Sequence, residues 1–211
     1  MLSLSLLSIK DDYERIKIMD GLNPDFIHFD VADGKFVPPI ADFLDLTHLN
    51  SMLDVHLMVS DIEEYVERYA KLNPEYITFH IEATRTPEKM ISIIKDLGIK
   101  VGIAINHETG VDQIKPYLSD IDLVLVMSTK TGYGGVPIEV LRPILDSSAK
   151  KVEQLYDLRE QHGYQYLIEI DGGITAETVN LFEKSDMFVV GSYITLADNY
   201  EQRANVFKNL V

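Results

Sequence analysis

Eight short apolar runs recur along this chain: Leu2–Leu7, Phe26–Val31, Met52–Val59, Tyr76–Ile81, Lys100–Asn106, Leu123–Met127, Tyr166–Ile170 and Met187–Val190. Most are rich in Val, Ile, Phe and Tyr, and several are nearly uninterrupted. A strand that is apolar all round has to be covered on both faces, which is the situation in a parallel sheet. Between the runs the period changes to that of a helix. Ile62, Tyr65, Val66 and Tyr69 fall at i, i+3, i+4 and i+7, and so do Met90, Ile93, Ile94 and Leu97. Ser60 and Glu63 have capping-box spacing, while Thr86 and Pro87 read as an N-cap and a first helical residue. Val152, Leu155 and Leu158 mark a later helix. Strands alternating with helices predict an α/β chain of βα units. A closed (β/α)8 TIM barrel forming one domain over residues 1–211 is expected, with an open doubly wound sheet as the other arrangement.

Composition narrows the partners. The 211 residues are 46% hydrophobic, which suits one domain with a large core. With 34 acidic against 19 basic residues the formal charge is -15, and no basic cluster offsets it. Such a surface repels nucleic acid and anionic lipid, so neither is an expected partner. An anionic ligand would need a local cradle of backbone N–H groups or a metal. There is no cysteine, so disulfides and thiolate chemistry are excluded and any metal must be held by His, Asp or Glu. No apolar run approaches the ~20 residues of a membrane-spanning helix. The run Met1–Ser8 is about one strand long and lacks a basic leader and a cleavage pattern, so a cytoplasmic location is expected.

His28, Asp30, His56 and Asp171 each sit at the end of a strand-like run. Two imidazoles and two carboxylates are a sound donor set for one divalent metal, and barrel enzymes build their sites at strand ends. His28 and Asp30 are two apart and share a face of their strand. A satisfied buried His–Asp pair with no metal accounts for the same two residues. His56 and Met58 also share a face, and a lone strand histidine is more often structural than ligating. His80 and Glu82 form a further polar intrusion at a strand end, for which packing or support behind a ligand is the plainer reading. Gly132, Gly134 and Gly135 follow the Leu123–Met127 run, Gly172-Gly173 follow Asp171 and lead toward a helix near Thr175, and Gly191-Ser192 follow the last run. Glycines after late barrel strands suit phosphate binding through backbone N–H groups. Each alone is an ordinary turn.

Together these segments resemble the ribulose-phosphate 3-epimerase family nearly end to end. The resemblance is carried by Ser5-Leu-Leu-Ser8, His28-Phe-Asp-Val-Ala-Asp-Gly-Lys-Phe-Val-Pro38, His56-Leu-Met-Val59, Phe79-His-Ile-Glu82, Met127-Ser128, Gly132-Tyr-Gly-Gly135, Asp171-Gly-Gly-Ile174 and Gly191-Ser192. It implies a TIM barrel of the ribulose-phosphate binding type and a metal-dependent isomerase that inverts C3 of a phosphorylated ketose through an enediolate. It implies one divalent metal, zinc or iron with manganese and cobalt as alternatives, on His28, Asp30, His56 and Asp171, and no organic cofactor. Asp30 and Asp171 would double as the acid/base pair, because one residue cannot readily reach both faces of the carbon. Ser5, Met58 and Met127 would contact the substrate, and Gly134, Gly135, Gly173, Gly191 and Ser192 its phosphate. Homo-oligomers are the implied assembly.

The departures gather around the substrate. Ala32 stands where the family usually has a third methionine, Lys35 where it has histidine and Pro39 where it has asparagine. His107 follows Asn106 where proline is common, Thr129-Lys-Thr131 replaces the usual valine and proline, and Val136 replaces a common glutamine. None removes a ligand or an acid/base residue. They leave the ketose open between ribulose 5-phosphate and a hexulose such as allulose 6-phosphate. A non-catalytic sugar-phosphate sensor is the reading from another class, and it would need neither carboxylate. A decarboxylase on the same scaffold has no Asp-x-Lys-x-x-Asp constellation here to support it.

Overall fold

The computed structural model describes residues 1–37, 46–131 and 137–211. The eight apolar runs are β1 (Leu2–Ser5), β2 (Phe26–Ala32), β3 (Met52–Met58), β4 (Tyr76–His80), β5 (Lys100–Ile105), β6 (Leu123–Met127), β7 (Leu167–Asp171) and β8 (Met187–Val190). Each pairs in parallel with its sequence neighbours, and β8 closes on β1, so the sheet is a barrel in chain order. The open sheet is thereby ruled out. Several strands end a residue or two from where the apolar pattern ends. Leu6 and Leu7, for example, leave β1 for a 3-10 turn at Leu7–Ile9, and Leu6 stays buried there. Periodicity reports burial, and burial continues past the last ladder hydrogen bond.

The described helices are α1 (Tyr13–Gly21), α2 (Ile62–Tyr69), α3 (Pro87–Asp96), α4 (Ile138–His162), α5 (Ser192–Thr195) and α6 (Tyr200–Lys208). Ile62, Val66, Met90 and Ile94 join Leu4, Phe29, Val55 and Ile77 in one continuous core between helices and barrel. Fully burying a side chain of this size contributes about 1.5–3 kcal/mol, so this outer layer is the main source of stability.

Two local expectations are corrected. The Ser60–Glu63 capping box does not form. Asp61 occupies the cap position without a side-chain bond, and the Ser60 N–H instead donates to Asp33 Oδ2 at 2.7 Å, tying the turn after β2 to that after β3. No α-helix begins near Thr175. The Thr175 N–H donates to Thr178 Oγ1 and the Thr178 hydroxyl donates to Gly173 O at 2.7 Å, and a 3-10 turn at Val179–Phe182 makes the crossing. Thr86 and Pro87 do open α3, although the Thr86 side chain makes no cap bond.

Inward residues of alternate strands stack in layers. Phe26, Tyr76, Leu123 and Met187, all from even-numbered strands, close the bottom of the barrel with apolar side chains. Above them the interior turns polar: Ser3, His28, Asp54, His56, Thr78, His80 and Glu169 are all buried. This half of the barrel holds the site.

Candidate active site

His28 and Asp30 rise from β2, His56 from β3 and Asp171 from β7, and the strand register brings them to the carboxyl end of the barrel. One donor atom from each of the four lies within 4.8 Å of every other. Asp30 Oδ1 is the hub, at 3.4 Å from His28 Nε2 and 3.1 Å from His56 Nδ1. A tetrahedral ion with ~2.1 Å bonds spaces its ligands ~3.4 Å apart, so these separations would accommodate a shared cation, although the 3.1 Å contact is also a hydrogen-bond distance. His28 Nε2 is buried and has no hydrogen-bond partner among the described residues, an expensive orphan unless something binds there. The residues present therefore fit a divalent metal.

Each histidine is backed by carboxylate. His28 Nδ1 donates to Asp54 Oδ2 at 2.6 Å, and Ser3 Oγ donates to the same oxygen at 3.0 Å. Glu169 Oε1 lies 3.8 Å from His28 Nδ1. Burial and the Asp54 charge push Glu169 well above its ordinary value, whereas Asp54, despite its own burial, is held low by His28. On the other side, His56 Nε2 meets His80 Nε2 at 2.9 Å, and His80 Nδ1 meets Glu82 Oε2 at 3.2 Å. Burial lowers His80 to about 4. Burial would raise Glu82, but bonds from His80 and Thr109 outweigh it and hold the carboxyl at about 2.

The two aspartates of the quartet differ in their surroundings. Burial favours the neutral form of Asp30, but the His28 and His56 rings outweigh it and keep it ionised well below the carboxylate range. Burial, followed by the charge of Asp30, pushes Asp171 up to about 7. Two carboxyl groups driven apart in this way are what an acid/base pair needs. A cation among them favours the ionised form of both.

A cleft of about 440 Å³ opens above Asp30 and Asp171, well sized for a small phosphorylated ligand. Ser5, Met58, Met127, Gly173, Gly191 and Ser192 are among the residues that line it. His28 and His56 lie beneath its floor and are fully buried. Ser5 Oγ donates to Asp30 Oδ2 at 3.1 Å. Gly172 has φ +118, and a Cβ there would lie 2.7 Å from the Thr129 backbone nitrogen, so only glycine lets β7 turn away beside β6. Gly134, Gly135, Pro39 and Val136 lie outside the described residues. Ala32 packs with Met58 beside Leu7, Phe36 and Val37, while Lys35 and Lys130 are exposed.

Residue patterns did not assign Asp54, Glu169 and Ser3 a part in the site. Their signal was alternation: Ser3/Ser5, Asp54/His56 and Glu169/Asp171 are each two apart, so each shares an inward face with a residue that was singled out.

A closed parallel barrel with converging polar side chains at the carboxyl ends of its strands belongs to the class of barrel enzymes. The model of the ribulose-phosphate 3 epimerase family matches residues 1–195, and the chain belongs to that family of ketose-phosphate isomerases. It is 35% identical over 199 residues to the ribulose-phosphate 3-epimerase of Helicobacter pylori strain J99, covering 90% of this chain and 88% of that enzyme. Over 225 residues it is 32% identical to the enzyme of the same name from Buchnera aphidicola subsp. Baizongia pistaciae, covering 100% of this chain and 95% of the other. The solved 3-keto-L-gulonate-6-phosphate decarboxylase of Vibrio cholerae superposes with a TM-score of 0.71 at 16% identity, covering 99% of this chain and 95% of that one. The solved KGPDC of Streptococcus mutans gives a TM-score of 0.68 at 16% identity, again with 99% and 95% coverage. These two likenesses concern the fold alone.

Proposed function

We propose that this protein is a metal-dependent epimerase that inverts C3 of a phosphorylated ketose, with ribulose 5-phosphate/xylulose 5-phosphate as the leading pair. The observation that carries the reading is the placement of Asp30 and Asp171, which come from strands on either side of β1 and β8, line one cleft and belong to one metal-fitting quartet. Inversion next to a ketone removes a proton from one face of the carbon and returns one to the other. Asp30, ionised beside two imidazoles, takes the C3 proton. Asp171, whose carboxyl burial and the Asp30 charge push up to about 7, delivers a proton to the opposite face, and the reverse reaction exchanges the roles. His28, Asp30, His56 and Asp171 would hold the ion. When bound, a divalent cation stabilises the negative charge that develops on the substrate oxygens.

Ser5 orients Asp30, Met58 and Met127 form the soft wall beside the reacting carbons, and Gly173, Gly191 and Ser192 receive the phosphate at the rim. A hexulose phosphate is the second reading, suggested by Ala32, a shorter side chain than the methionine the family usually carries there, packed against Met58. The test is exchange of solvent deuterium into C3, using metal-loaded protein with ribulose 5-phosphate, allulose 6-phosphate and other ketose phosphates. Exchange with one of them is expected. Absence of exchange with every pentulose and hexulose phosphate would sink the epimerase reading.

A further inference from the structure

The buried His80 and its neighbour Glu82 take no part in the mechanism above, yet they are wired to one of the proposed ligands. Glu82 is anchored on the far side by two donors: Oε1 accepts from the Asn106 N–H at 2.8 Å and from the Thr109 hydroxyl. With Oε1 committed as an acceptor, Oε2 is the carboxylate oxygen that faces His80 Nδ1, at 3.2 Å. Nδ1 must then carry the hydrogen, so His80 Nε2 presents a lone pair. The atom in front of that lone pair is His56 Nε2, at 2.9 Å. Two facing ring nitrogens need one hydrogen between them, and it has to sit on His56 Nε2. His56 Nδ1 is thereby left facing Asp30 Oδ1 at 3.1 Å with its lone pair available for a metal. The rings of His56 and His80 lie 5.0 Å apart and 30° from parallel, and Phe36 covers His80 at 5.1 Å. His80 is fully buried, so water cannot substitute for either partner.

We infer that Glu82, acting through His80, is a positioning residue that sets the direction of this hydrogen-bond chain and so holds His56 in its metal-binding tautomer. This rests on the metal reading of the quartet. The partner of a ligating histidine commonly fixes tautomer and ring orientation, and its loss costs ~10–100-fold in metal affinity. Here the partner is a second histidine, and the carboxylate that decides the matter sits one strand further round the barrel.

Substituting Glu82→Gln is a direct test, because the amide reverses the chain. Its single oxygen is held by Asn106 and Thr109, and its NH2 faces His80 Nδ1. That nitrogen must now accept, Nε2 must donate to His56 Nε2, and the hydrogen on His56 moves to Nδ1, where it blocks the metal. In metal-free protein, nitrogen-15 shifts of His56 are expected to report a larger share of the Nε2–H form in wild type than in Glu82→Gln, where the Nδ1–H form facing Asp30 prevails. Titration with cobalt(II) against a chelator is expected to show ~10–100-fold weaker binding in the variant, with an altered visible spectrum. His80→Phe removes the acceptor and should lose affinity similarly, whereas His80→Gln, which can still accept from His56 and donate to Glu82, should recover most of the loss. Wild-type cobalt affinity and an unmoved His56 tautomer in folded Glu82→Gln and His80→Phe overturn the inference while leaving the metal reading intact. A wild-type protein that takes up no cobalt overturns both.

Discussion

At the scale of single residues, the site depends on a few side chains placed where each has one counterpart. Asp30→Asn and Asp171→Asn should each abolish turnover, read as conversion of one C3 epimer into the other, because each aspartate is assigned both ligation and proton transfer and general acid–base groups alone contribute ~10²–10⁴-fold. Near-normal interconversion in either variant would refute that assignment. Gly172→Ala should destabilise the fold by roughly 1–3 kcal/mol in chemical denaturation, since φ +118 is strained for alanine and its Cβ would press on the Thr129 backbone. The quartet His28, Asp30, His56 and Asp171 was legible in the sequence because polar residues at the ends of apolar strands stand out. Asp54 and Glu169 were not, because what makes them part of the site is the ring of His28 between them, and that contact joins strands far apart in the chain.

At the scale of elements, the clearest lock is between α1 and the turn before β3. Asp20, near the end of α1 and buried, accepts from the backbone N–H groups of Asn50 and Ser51 and from the Asn50 amide. Burial works against its charge, but these bonds outweigh it and lower the Asp20 carboxyl below its ordinary value. A carboxyl lowered on folding contributes stability that is present above the unfolded value and lost as pH falls through the folded one. Asp20→Ala should therefore cost about 2 kcal/mol at neutral pH. Its difference from wild type should shrink as pH drops below about 4 and through the lowered folded value. Denaturant midpoints across that range check this, and a difference that persists undiminished at low pH would contradict it. The elements themselves were legible wherever burial has a period, as in β2, β6 and α2. The Ser60–Glu63 cap and the helix near Thr175 were not, because side-chain and backbone partners from neighbouring segments, Asp33 in the first case and Gly173 in the second, compete for the local groups.

At the scale of the whole molecule, a barrel interior that carries His28, His56, Asp54 and Glu169 in its upper half gives up part of its apolar core in order to hold a site. A bound metal should restore some of that stability. Saturating zinc or cobalt should raise the melting temperature over the chelator-treated protein, by up to ~4 kcal/mol of stabilisation at a thousandfold excess over the dissociation constant. The gain should diminish at acid pH, where protons compete for the imidazoles and carboxylates. Calorimetry with and without chelator measures it, and identical melting curves would argue against a metal in the quartet.

The order of residues alone settles the strands, their parallel character, the exclusion of thiol chemistry and the inward face on which each polar residue lies, because burial and alternation are local properties of a chain. Closure of the sheet is a property of the assembled barrel. So is the question of which inward residues meet, with β2 and β3 beside one another and β7 brought round to within reach. The direction of the His56–His80–Glu82 chain belongs to that second kind of knowledge. Hydrogen-bond polarity depends on which donor holds the far end of a network, and here the Asn106 N–H and the Thr109 hydroxyl hold it.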